Sequence, residues 1–178
     1  MQKSLFFIIS LLFFSCSRES KTPYTLSEKK LINYVNPFIG TGGHGHTYPG
    51  ATMPFGMMQL SPDTRLEGWD GCSGYHYSDA YIYGFSHTHL SGTGVSDYGD
   101  ILLMPTNAIN FHNGADGKKG YRAHFSHKNE EASPGYYHVK LDSTDIDVGL
   151  TVSKRSGIHK YQFPTSNNQI VILDLEHR

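Results

Sequence analysis

Two His-x-His pairs, a tryptophan beside an aspartate, and a scatter of acids are the residues here with chemistry to offer, and all lie between positions 34 and 105. Gly43-His44-Gly45-His46 and His87-Thr88-His89 each set two imidazoles two residues apart. On a β-strand that spacing puts both rings on one face, an arrangement that suits a transition metal. Glycines around the first pair release it from strand geometry, and a neutral imidazole is equally a donor and an acceptor for a polar ligand. Metal ligation, hydrogen bonding in a cleft and a purely structural role all stay open for these histidines.

The segment Trp69-Asp70-Gly71-Cys72-Ser73-Gly74-Tyr75-His76-Tyr77 holds the single tryptophan. Its glycines let a ligand approach the backbone closely. An aromatic plate beside a carboxylate suits a sugar: the ring covers the apolar C–H face and the carboxylate accepts from paired hydroxyls. A core anchor is the equal alternative for a lone tryptophan. Asp63, Glu67, Asp70, Asp79, Asp97 and Asp100 lie in the same region. Paired acids do general acid–base work on glycosidic bonds, yet turns also favour aspartate, and no spacing here specifies a reaction. Nucleophile-elbow, phosphate-loop and dinucleotide signatures are absent from the sequence.

The elements that must position these residues read as β. The chain has 178 residues, enough for one ordinary domain, and its net charge of −1 gives no electrostatic footprint for nucleic acid. Twelve tyrosines, ten phenylalanines and 19 glycines, with few strong helix formers after residue 33, favour an all-β domain. Residues 34–105 show no clean period, so short strands joined by ordered loops are expected, with Ile82-Tyr83-Gly84-Phe85 and Ile101-Leu102-Leu103-Met104 as strand candidates. Residues 136–141, 146–152 and 158–163 alternate as half-buried strands. The continuous apolar run at 170–175 predicts a more buried strand. Strands at this interval predict an antiparallel sandwich.

The N-terminus reads as a targeting segment. Lys3 precedes an apolar run at 5–14, too short for a spanning helix of about 20 residues. Ser15-Cys16 and a polar stretch follow, resembling a bacterial lipoprotein signal. Residues 1–15 would be removed, Cys16 lipidated, and 16–32 would carry that cysteine and a tether to a domain at 33–178. The protein would then be exported and membrane-anchored, in the periplasm or at the cell surface. A secretory signal cleaved nearby, giving a periplasmic protein, is the other reading. With Cys16 acylated no disulfide framework forms, leaving Cys72 as a buried small hydrophobe or a cleft residue.

Longer motifs carry a family resemblance. Asn36-Pro37-Phe38-Ile39-Gly40-Thr41-Gly42, Pro49-Gly50-Ala51, Pro54-Phe55-Gly56, the Trp69 to Tyr77 segment, Gly84-Phe85-Ser86-His87-Thr88-His89-Leu90-Ser91-Gly92-Thr93-Gly94, Gly99-Asp100-Ile101 and Met104-Pro105 occur in order. Together they resemble the start of a glycoside hydrolase family 92 α-mannosidase. The resemblance implies an N-terminal β-sandwich followed by an (α/α)6-barrel domain. It also implies calcium-dependent, inverting hydrolysis of terminal α-mannose, often α-1,2-linked, in N-glycans or mannans.

In that family the catalytic acid, the base and the calcium ligands come mainly from the barrel, which these 178 residues do not contain. The resemblance therefore implies no catalytic residue and no metal ligand here, and a chain inactive alone. By position in the matching motifs, it implies Trp69 as a stacking plate, Asp70 as a hydroxyl acceptor and Cys72 as a small cleft wall. His87, His89 and Arg65 become further sugar contacts. The implied partners are mannose-containing glycans, the missing barrel and, through Cys16, a membrane. The chain's end directly after an apolar strand reads as a truncation. A stand-alone carbohydrate-binding lipoprotein is the alternative, and a His-rich metal-binding sandwich a weaker third.

Overall fold

The structure, a computed structural model, describes residues 31–165 and 168–177. The lipidation site Cys16, the signal at 1–15 and the tether up to residue 30 lie outside the described residues. No helix among the described residues is long and apolar enough to cross a membrane.

Among the described residues, ten strands form two antiparallel five-stranded sheets. The first has the order β1 (Ala51–Thr52), β2 (Gln59–Asp63), β4 (Gly84–Ser86), β5 (Leu102–Thr106) and β10 (Ile170–Asp174). The second runs β3 (Tyr81–Ile82), β6 (Ala123–Ser133), β7 (Tyr136–Leu141), β8 (Ile146–Val152) and β9 (Gly157–Gln162). The expected all-β antiparallel sandwich is what forms.

The alternation of the second half drives the packing. Tyr137, Val139 and Leu141 of β7 and Ile146, Val148 and Leu150 of β8 are all fully buried. They meet Leu60, Phe85, Leu102 and Met104 from the first sheet in one core. Truncating one of these aliphatic chains to alanine costs about 2–5 kcal/mol, through lost burial and the cavity left behind.

A polar group sits inside this core. Glu130 accepts hydrogen bonds from the Tyr137 hydroxyl at 2.6 Å and the Tyr75 hydroxyl at 3.0 Å, and lies 2.7 Å from Nδ1 of His127. Burial first, and the neighbouring Glu130 second, push both tyrosine hydroxyls well above their usual range. Both therefore stay protonated and able to donate.

Two sequence expectations are corrected, and one strand appears that the sequence analysis did not name. The candidate strand at 82–85 is two strands in different sheets: β3 ends at Ile82 and β4 begins at Gly84. Gly84 makes the crossing, since a Cβ there would sit 2.4 Å from Leu102 Cδ2. The run at 170–175 is not deeply buried. Its strand β10 lies at a sheet edge, with Ile172 inward and Val171 and Leu173 exposed. The long β6 carries Lys128-Asn129-Glu130-Glu131, a charged run that does not read as strand, and accommodates it with a register irregularity between Phe125 and Glu130.

Candidate functional site

Loops from three parts of the chain meet at Trp69. The first is the glycine-rich turn at 40–47. Gly45 passes so near Gly40 that a Cβ would lie 1.9 Å from its carbonyl oxygen, so only glycine lets this turn close. Closure sends both His44 and His46 toward one carboxylate: Nδ1 of His44 lies 2.7 Å and Nε2 of His46 3.5 Å from Oδ1 of Asp70. The second element is the 3-10 turn Trp69–Gly71 that carries Asp70. The third is the loop at 92–94, tied to both of the others. The Gly92 amide donates to the His46 carbonyl at 2.7 Å, and the Cys72 thiol donates to the Thr93 carbonyl at 2.6 Å.

Within this cluster Trp69 is 59% exposed, so it is not a core anchor. The His46 ring meets it edge-on at a centroid distance of 4.3 Å, and the His44 ring lies tilted at 5.4 Å. These contacts fix the indole while leaving ring surface open. The hydrogen bond from His44 is the main reason the Asp70 carboxyl sits below its usual range, with smaller contributions from the charges of His44 and His46. Asp70 is thus a firm carboxylate at neutral pH. Nε2 of His46 is buried, with the Asp70 carboxylate 3.5 Å away as its polar neighbour. The result is an exposed aromatic ring beside an oriented carboxylate acceptor. Asp70 is the carboxylate that these contacts bring into the cluster, and its carboxyl is a depressed one.

The other expected site residues sit elsewhere. Cys72 is buried beneath the cluster, linking two of its loops through Thr93. Arg65 binds both carboxylate oxygens of Asp79, with Nη2 2.5 Å from Oδ1 and Nε 3.2 Å from Oδ2. Its aliphatic stem underlies the Trp69–Gly71 turn, since a Cβ on Gly71 would sit 2.8 Å from Arg65 Cγ. His87 and His89 do not share a face, because β4 stops at Ser86. His87 donates to the Ile101 carbonyl at 2.5 Å and stands 4.8 Å from the His159 ring. His89 is buried, donating from Nδ1 to the Gln59 carbonyl at 2.8 Å with Nε2 3.1 Å from the Ser86 hydroxyl. Sequence reasoning noted His44 and His46 as a pair but did not join them to Asp70. A separation of 26 positions along the chain between His44 and Asp70 hid that contact. The available signal was the glycine on each side of His44, which allows a turn tight enough to converge.

Among the described residues no group of three or more His, Cys, Asp or Glu side chains is placed to hold a metal ion.

The profile of the glycosyl hydrolase family 92 N-terminal domain matches residues 34–178. This chain belongs to glycoside hydrolase family 92. A family 92 α-mannosidase from Bacteroides thetaiotaomicron, solved with mannoimidazole, is 43% identical with a TM-score of 0.79, over 83% of this chain and 20% of that one. A family 92 inverting mannosidase from strain VPI-5482 of the same organism is 29% identical with a TM-score of 0.68, over 80% of this chain and 19% of that one. A protein of Arthroderma benhamiae described as an uncharacterized secreted glycosidase is 28% identical over 83% of this chain and 20% of its own length. The family 92 chain described here thus spans about a fifth of the length of the relatives it matches.

Proposed function

We propose that this family 92 domain is the sandwich portion of an exported α-mannosidase, and that its part is to hold sugar rather than to cleave it. The observation that carries this is the exposed Trp69 ring beside the His44-oriented Asp70 carboxylate. On this reading a terminal mannose lays its C–H face on Trp69 while Asp70 accepts from neighbouring hydroxyls, with the loops tied by Cys72 and supported by Arg65 keeping both in place. His87 and His89 lie outside that cluster and brace the first sheet. Mannose as the sugar is supported by the relative bound to mannoimidazole, and export by the relative described as secreted.

Hydrolysis with inversion requires an acid and a base roughly 6.5–9.5 Å apart with water between them. The proposal assigns both, together with the calcium, to parts of the family enzyme other than the described residues. The complete enzyme would release terminal α-mannose, α-1,2-linked in particular, from N-glycans or mannans. A lipid on Cys16 would keep it at the membrane.

The test is mannose release from α-1,2-mannobiose by the purified 178-residue chain, with and without calcium. The expected result is none above the uncatalysed background. Release at enzyme-like rates would place the acid and base within this chain and overturn the proposal.

A further inference from the structure

The outer face of the second sheet carries a polar hollow that shares no residue with the Trp69 cluster. Alternation along β7 and β8 turns the aliphatic chains inward and leaves Tyr136, His138, Asp147 and Gly149 outside, joined by Lys160 and Gln162 of β9. These six residues line a cavity of about 380 Å³, within the roughly 300–1,000 Å³ of small-molecule sites. Gly149 lies at its centre, paired across the strands with His138 and Lys160, and Asp147 is paired with Gln162.

Gly149 is the informative residue. Glycine inside a strand weakens it, and often marks a place where something approaches the backbone closely. The fold does not demand glycine here. A Cβ would meet only the Tyr136 hydroxyl at 3.7 Å and Lys160 Cβ at 3.9 Å, both ordinary contacts. At Gly45 and Gly84, by contrast, a Cβ would collide with the Gly40 carbonyl and the Leu102 side chain. A missing side chain that packing does not require keeps room free at the surface.

The walls suit one kind of occupant. Tyr136, 43% exposed, lines the hollow and brings its hydroxyl within 3.7 Å of where a Gly149 Cβ would stand. His138 and Asp147 face each other at 3.4 Å, and the Lys160 ammonium and Gln162 amide complete the rim. The rim thus mixes donors and acceptors beside one aromatic ring and does not favour either sign of charge. We propose that this face binds a neutral oligosaccharide, one hexose seated over Gly149 against Tyr136, with its hydroxyls bonded to His138, Asp147, Lys160 and Gln162. The choice of sugar rests on the glycan-directed reading above, but the site uses different residues, so the two can fail separately.

The experiment is a titration of the isotopically labelled chain with α-1,2-mannobiose, following the amide signals of His138, Gly149 and Lys160 and, separately, the Trp69 indole signal. Saturable shifts on the sheet face are expected. Gly149→Val should abolish them while leaving the Trp69 response unchanged and the melting temperature equal or higher, because a β-branched residue suits a strand better than glycine. Trp69→Ala should leave the sheet-face shifts intact. A combined Lys160→Ala and Gln162→Ala variant, altering only exposed side chains, should weaken affinity at least fivefold. Sheet-face signals that never move, that still move in Gly149→Val, or that keep full affinity in the double variant would overturn the proposal. Should Gly149→Val unfold, the double variant decides alone.

Discussion

The indole of Trp69 and the backbone of Gly94 touch so closely that a methyl group at position 94 would lie 2.4 Å from Nε1. Gly94→Ala must therefore displace the ring from its place beside Asp70. Because Trp69 is largely exposed, it can move without disturbing the core. The expected outcome is a loss of mannose affinity comparable to that of Trp69→Ala, with stability changed by less than about 1 kcal/mol. Calorimetry and urea unfolding of the two variants check both halves.

Asp70 and His44 give a second test. The hydrogen bond from His44 is the leading cause of the depressed Asp70 carboxyl. His44→Ala should move the Asp70 titration midpoint up toward its ordinary value, and His46→Ala should move it by less. The sign follows from linkage: a carboxylate depressed in the folded state stabilises above its unfolded pKa, and that contribution is lost as pH falls through the folded value. Carboxyl carbon chemical shifts followed against pH measure this directly. An unmoved midpoint in His44→Ala would contradict the assigned cause.

His159 should make the fold acid-sensitive. Burial, and then the nearby charge of His87, lower its pKa from 6.5 to about 4. Its Nδ1 lies 2.8 Å from the Tyr161 hydroxyl, and Nε2 is buried without a partner among the described residues. Above pH 6.5 the ring is neutral in both states and this stability is fully present. As pH falls from about 6.5 toward 4 the unfolded chain takes up a proton that the folded chain refuses, so stability declines by up to about 3 kcal/mol. His159→Leu should flatten that part of the stability–pH curve in urea unfolding. A slope unchanged by the substitution would show the acid sensitivity to lie elsewhere.

Glu130 should be a strong structural dependency. Glu130→Leu removes the acceptor for two buried tyrosine hydroxyls, and unsatisfied buried donors are costly. A loss of about 2–4 kcal/mol is expected. Adding Tyr75→Phe and Tyr137→Phe should recover part of it, because the orphaned hydroxyls are then gone. Urea unfolding of the single and triple variants measures the coupling, and a single-variant loss below about 1 kcal/mol would contradict it.

The fold was most legible where one rule acted alone. Strands β7, β8 and β9 alternate cleanly, since one face meets the core and the other water, and their bounds follow the sequence within a residue or two. Gly84 was illegible for the opposite reason: its neighbours favour a strand, and only contact with Leu102 shows that the chain changes sheets there. The apolar run in β10 reads as buried from composition alone, whereas its place at a sheet edge is a fact of topology. For the site, Trp69 and Asp70 were legible as a local pair. Their tie to His44, His46 and Gly94 was not, because those contacts depend on loop closure rather than spacing. The two residues His87 and His89 illustrate the limit, since their spacing implies a shared face only while a strand continues, and β4 ends one residue earlier.

Trp69 is the single tryptophan of the chain, so its fluorescence reports on the cluster without interference. Titrating the purified chain with mannose while recording that emission tests the central claim that the Trp69–Asp70 pair holds the sugar. The account predicts a saturable change with a Kd on the order of 1 mM, abolished in Asp70→Ala. Emission that stays flat with mannose, or that responds equally when Asp70 is gone, would contradict it.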